Sequence, residues 1–142
     1  MKILAVDLGK ARTGLAVCDE REILASPAGV ISEWSREKLL QKVADEANRQ
    51  AVGEIVVGLP KNMDGSEGES AQNARAFAES LRALVTVPVV MQDERGTTIT
   101  AHNYLNDTDT RGKKRKAVVD AVAATVILQD YLTYRKNSAA QR

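Results

Sequence analysis

The chain has 142 residues, 44% of them apolar and 27% charged, with a formal net charge of +1. That composition belongs to a soluble, globular chain large enough to bury a core, and it excludes both intrinsic disorder and a global basic field. One cysteine (Cys18) and one histidine rule out an intramolecular disulfide and nearly exclude structural zinc, and with 4% aromatic residues no platform of stacked aromatics for single-stranded nucleic acid is expected.

The opening MKILAVDLG is too short for a signal peptide and is interrupted by Asp7. No run nears the roughly 18 apolar residues of a membrane span, so a cytoplasmic protein without a membrane partner is expected. Ile3–Leu8 has the pattern of a buried strand closed by Gly9, and Leu15–Cys18 and Glu22–Ile31 read as two more strands, the last bent near Pro27. Ser35 has the character of an N-cap for a helix over Arg36–Gln50, whose Leu39, Leu40, Val43 and Ala47 form one stripe. Glu54–Pro60 reads as a continuous buried strand, and KNMDGSEGES as a polar turn in which Ser66 or Ser70 caps the next helix, Ala71–Leu84. Val87–Asp93 reads as a strand and Thr98–Leu105 as a short helix. Asn106–Lys116 reads as a charged loop and Ala117–Tyr134 as a long apolar helix. This order predicts an α/β fold in one domain over residues 1–142, with a mixed sheet of about five strands.

In an open α/β sheet, ligands bind beyond the carboxyl ends of the parallel strands. Asp7, Gly58–Pro60 and Asp93–Glu94 stand at three such ends, and Asp120 is the only charge in an otherwise apolar or small-residue helical stretch. Each acid alone has an ordinary explanation. Asp7 could form a turn, Asp93–Glu94 could be a solvated strand end, and Asp120 could sit in a first helical turn where the dipole favours it. Together they predict clustered carboxylates, which need a cation, and hard oxygen donors suit Mg²⁺ or Mn²⁺. RGKKRK puts five cations in six residues just before the Asp120 helix, and Lys10, Arg12, Lys61 and Arg95 fall near the same edge. Cations beside a metal site suit a phosphodiester substrate, and nucleic acid is favoured over a small acidic metabolite. A substrate contact from Asn62 is a further candidate.

Four motifs in order, DLGKARTG, VGLPKNMDGSEG, DER followed by a paired threonine, and VVDAVAATVIL, resemble the YqgF/RuvX family over almost the whole chain. The resemblance implies a ribonuclease H-like fold shared with Holliday junction resolvases, and a metal-dependent nuclease that matures the 5′ end of pre-16S ribosomal RNA. It makes Asp7, Glu94 and Asp120 the catalytic, metal-holding acids, with Glu94 preferred to Asp93 because the family's acid lies inside D-E-R. Arg12 and Arg95, with Lys113, Lys114, Arg115 and Lys116, become the nucleic-acid contacts. Where the family usually has leucine after D-E-R this chain has Gly96, which removes a contact that could steady Glu94. Two alternatives stay open: a resolvase acting on branched DNA, which needs two active sites and hence a homodimer rather than a monomer, and a non-catalytic RNA-binding module in ribosome assembly.

Overall fold

Continuous apolar runs become central strands and amphipathic runs become helices laid across them. The computed structural model describes residues 1–94 and 112–140, with side chains of the last helix from 121 to 138. Strands β1 (Ile3–Asp7), β2 (Arg12–Cys18) and β3 (Ala25–Ser32) form an antiparallel meander, and β4 (Glu54–Leu59) and β5 (Val89–Asp93) join β1 in parallel. The sheet order is β3-β2-β1-β4-β5. The mixed five-stranded α/β sheet expected from the sequence is therefore present.

Helices α1 (Arg36–Gln50) and α2 (Glu69–Arg82) cover one face. Their side chains Val43, Phe77 and Leu81 pack on Leu4, Val6, Ile55 and Val57. Helix α3 (Gly112–Ala140) covers the other face, where Ala124, Ile127 and Leu128 meet Ile3, Ala5, Ala16 and Val56. Each fully buried aliphatic side chain contributes about 1.5–3 kcal/mol relative to leaving it in water. Alanines on both sides of the second interface, including the fully buried Ala123 and Ala124, let α3 lie close to the sheet.

The ends of several elements differ from expectation for local reasons. Strand β2 starts at Arg12, not Leu15, because Arg12–Gly14 already pair with Ser32, Ile31 and Val30. Strand β3 starts at Ala25, not Glu22, because Asp19 Oδ1 accepts from the backbone N–H groups of Ile23 and Leu24 and holds that stretch in a turn. The bend near Pro27 is a bulge: Leu15 pairs with Gly29 but Ala16 with Pro27, and Gly29 takes φ +116. Strand β5 begins at Val89, after Pro88, whose carbonyl accepts from Ile55 N–H. Ser35 caps α1 as expected, its Oγ accepting from Lys38 N–H at 3.4 Å. The cap of α2 is Gly68 rather than Ser66 or Ser70, because Ser66 is held inside the preceding turn by Asp64 and Asn62.

The largest correction concerns α3. Gly112–Lys116, expected to be loop, is helix, so Asp120 lies in the third turn and the first-turn dipole explanation for it fails. Expectations for Thr98–Leu105 and for 106–111 lie outside the described residues.

Helix α3 is anchored at its far end. Tyr131 donates its hydroxyl to the buried Glu54, Arg135 Nη1 lies 3.7 Å from the same carboxylate, and Arg135 also pairs with Glu22, whose pKa it lowers. Burial, and then the Glu54 hydrogen bond, push the Tyr131 phenol up to about 12. The folded chain thus keeps that proton between the ordinary tyrosine value of about 10 and about 12, and stability falls as pH rises through that window. Titration followed by phenolate absorbance is expected to show one tyrosine ionising near the top of this window, and Tyr131→Phe is expected to remove it.

Candidate active site

Side chains alternate between the faces of a strand, so the core on each side fixes where each strand-end residue points. On β1, Ile3 and Ala5 pack under α3, which puts Asp7 on the α3 face at the carboxyl edge. On β5, Val89 and Met91 face α1 and α2 while Val90 packs under α3. By the same alternation Asp93 belongs to the α1–α2 face, where it is exposed and 3.9 Å from Lys61 Nζ, and Glu94 belongs to the face of Asp7. Glu94 is 7% exposed and its Oε1 is shut off from solvent. Its backbone N–H donates to Leu59 O at 2.9 Å, which extends the β4–β5 ladder by one residue and fixes its position.

Strand β4 lies between the two acids, and its Gly58 lets its neighbours close over it. Val6 pairs with Val57, so Asp7 is level with Gly58, and Gly14 is directly opposite Asp7 on β2. A Cβ on Gly58 would meet Ile127 Cδ1 at 2.5 Å and Glu94 Cγ at 3.7 Å. The backbones of β1 and β5 are two strand spacings apart, about 9–10 Å, and Glu94 leans inward over Gly58. Gly9 has a different task. A Cβ there would lie 2.0 Å from Arg12 O, so the tight turn after Asp7 requires glycine.

Helix α3 brings the third acid to this edge. Tyr131 sits over Glu54 at the start of β4 and Ile127 over Gly58 near its end, so the helix runs back from the carboxyl edge. Asp120 precedes Ile127 by seven residues, close to two turns and about 10 Å along the axis, which places its backbone on the Ile127 stripe at or beyond that edge. The Asp120 side chain lies outside the described residues, as do those of Lys113, Lys114, Arg115 and Lys116, whose backbone forms the start of α3. Arg12 opens β2 beside this edge, and Arg95 and Gly96 fall outside the described residues. Asn62 donates its amide to Ser66 Oγ at 2.9 Å and serves the turn after β4.

A residue not singled out from the sequence joins the cluster. Asp130 on α3 brings its carboxyl near Glu94; burial raises the Asp130 pKa, and the interaction with Glu94 lowers it in part. Among the described residues no three His, Cys, Asp or Glu groups are gathered tightly enough to hold a metal ion. Asp7 and Glu94 supply two carboxylates, all oxygen donors, and a third from Asp120 would complete a set suited to a hard divalent cation.

Fold comparison gives the class. Thermus thermophilus RuvC in complex with a Holliday junction superposes with a TM-score of 0.57 at 14% identity, covering 96% of each chain. The fowlpox virus resolvase in complex with junction DNA gives 0.56 at 15% identity, covering 94% of this chain and 98% of that one. The fold is therefore ribonuclease H-like, as in these resolvases. The RuvX family profile, described as Holliday junction resolvase, matches residues 1–134, and the chain belongs to that family. Relatives named "Putative pre-16S rRNA nuclease" include one from Anaeromyxobacter sp. (strain Fw109-5), 45% identical over 135 residues, covering 95% of this chain and 98% of the relative. Another, from Protochlamydia amoebophila (strain UWE25), is 40% identical over 141 residues, covering 94% of both chains.

The close packing over Gly58 is testable apart from catalysis. Gly58→Ala is expected to cost about 1–3 kcal/mol, the usual price of overpacking a filled core. Adding Ile127→Val, which removes the clashing Cδ1, is expected to restore part of it. Urea denaturation of the three proteins checks both.

Proposed function

We propose that the chain is a divalent-metal-dependent endonuclease, that Asp7, Glu94 and Asp120 are its metal-holding acids, and that its substrate is structured RNA, specifically pre-16S ribosomal RNA. The observation carrying this reading is the alternation of β5, which turns Glu94 rather than Asp93 to the sheet face of Asp7, at the edge where α3 carries Asp120. The relatives' names supply the substrate, and the carboxylate chemistry supplies the class of reaction.

Mg²⁺ or Mn²⁺ held by these acids would supply Lewis-acid polarisation of a phosphodiester and a more acidic water. The chain's own part is positional. Strand β1 holds Asp7 at a fixed height, and the Glu94–Leu59 hydrogen bond holds Glu94 on the same face. Asp130, near Glu94 on α3, helps to orient that carboxyl. Gly58, with no side chain of its own, lets Ile127 and Glu94 close over β4 between the two acids. Three carboxylates repel a polyanion; Arg12 opens β2 beside that edge, and we assign Arg95 and the cations at 113–116 the role of offsetting the repulsion. Binding should therefore weaken steeply with salt. We take residues 1–142 as one catalytic unit acting in the cytoplasm on ribosomal precursors.

The family description favours a second reading, cleavage of branched DNA. A symmetric junction needs two active sites, so that reading requires a homodimer, and the RNA reading is compatible with a monomer.

The test is incubation of the purified chain with pre-16S RNA, four-way DNA junctions and plain duplexes, with Mg²⁺, Mn²⁺ or chelator. RNA cleavage dependent on the metal is expected, with Glu94→Gln and Asp7→Asn slowing it about 10²-fold or more and Asp93→Asn leaving it near wild type. Calorimetry is expected to show Mn²⁺ binding lost in Glu94→Gln and kept in Asp93→Asn. The reverse order of the two variants would put the site on the wrong sheet face, and junction cleavage by a dimer without RNA cleavage would favour the resolvase.

A further inference from the structure

The chain leaves Asp7 as Leu8, Gly9 and Lys10, and Leu8 packs on the α1–α2 side of the sheet. On that side a cleft of about 420 Å³ lies between the β1–β2 turn and the first residues of α1 and α2. Its walls carry Lys10, Trp34, Arg36, Glu69 and Asn73. Trp34 is the chain's one tryptophan and is 81% exposed. An indole left so open, on a surface with few other aromatics, is a stacking face without an internal partner to cover it. Arg36 is steadied by Phe77, its guanidinium carbon 5.7 Å from the ring centre. Glu33, also in the wall, is paired with Lys42 at 3.0 Å, which leaves Lys10 and Arg36 facing Glu69.

We infer that this cleft is a subsite for one unpaired nucleotide of the nucleic-acid substrate, with its base stacked on Trp34 and its phosphate toward Lys10 and Arg36. Asn73 and Glu69 offer a donor–acceptor amide and an acceptor carboxylate for the base edge, the mixture that reads a splayed-out base. A phosphate-only ligand would have no use for the indole, and an apolar peptide none for the two cations. The cleft and the acids share one edge of the sheet and are joined by three consecutive residues, Asp7, Leu8 and Gly9. A strand crossing that edge would engage both. One tryptophan serves one base, which agrees with a chain too poor in aromatics for a stacking platform. The inference rests on the nuclease reading for the identity of the occupant.

Because Trp34 is the only tryptophan, its emission reports the cleft directly. A ten-nucleotide single-stranded RNA of mixed sequence, titrated in chelator into the full chain and into Asp7→Asn, is expected to quench that emission saturably in both. Inorganic polyphosphate is expected not to quench. Trp34→Ala is expected to bind a labelled form of the same RNA about tenfold more weakly and Trp34→Phe to recover part of the loss, as for a stacked base. Absence of quenching, equal quenching by polyphosphate, or unchanged RNA affinity in Trp34→Ala would each overturn the subsite, even if the wild-type chain cuts RNA. Base-dependent quenching by a chain that cuts no RNA under any metal condition would instead remove the nuclease reading and leave the subsite standing.

Discussion

Period-two alternation along β1, β4 and β5 governs both stability and the candidate chemistry. The three strands are parallel and in fixed register, and each buries one set of side chains under α3 and the other under α1 and α2. The pattern that packs Ile3 and Ala5 beneath α3 delivers Asp7 to that face, and the pattern that packs Val90 there delivers Glu94. A slip of one residue in β5 would move Met91 into the wrong core and exchange Glu94 for Asp93. Core packing therefore decides which of the two acids shares a sheet face with Asp7.

Helix α3 completes this arrangement through its small residues and its far-end anchors. Ala124 against Ala5 and Ala16 brings the helix close, and the bonds of Tyr131 and Arg135 to Glu54 and Glu22 set its position along the sheet. With the helix pinned there, Ile127 fills the space over Gly58 and Asp120 is carried to the carboxyl edge. Glu54 is 8% exposed, a position where an acid is tolerated only with partners, and those partners are supplied by α3. The buried charge at one end of the sheet thus helps set the geometry at the other.

Legibility from the sequence followed the range of the forces involved. Helix α1 was readable to the residue because its cap and its stripe are local signals, and β4 because a continuous apolar run has few other uses. The start of α2 was not, since the nearby serines looked like caps while Ser66 was already bound by its own turn. The start of α3 was misread because turn residues and dense charge in 106–116 read as loop, although lysine and arginine are good helix formers and continue the long packed body of α3. Preference for Glu94 came from a family resemblance, because Val89, Val90 and Met91 are all apolar and only their packing tells the two faces of β5 apart. Asp130 carried no local sign, because its meeting with Glu94 joins a helix to a strand 36 positions away in the sequence. Trp34 was passed over because low aromatic content argues against a platform and says nothing about a single exposed indole.

We propose that a divalent cation is held on the α3 face of the sheet's carboxyl edge. Replacing Mg²⁺ by Fe²⁺ and adding ascorbate and peroxide generates hydroxyl radicals at the metal, which cut the backbone nearby. Fragments mapped by mass spectrometry are predicted to end around Asp7–Gly9, Gly58–Pro60 and Glu94, and to be suppressed by excess Mg²⁺. Cuts confined to the turn at Asn62–Ser66 or to the Trp34 side of the sheet, or no Mg²⁺-sensitive cut at all, would contradict it.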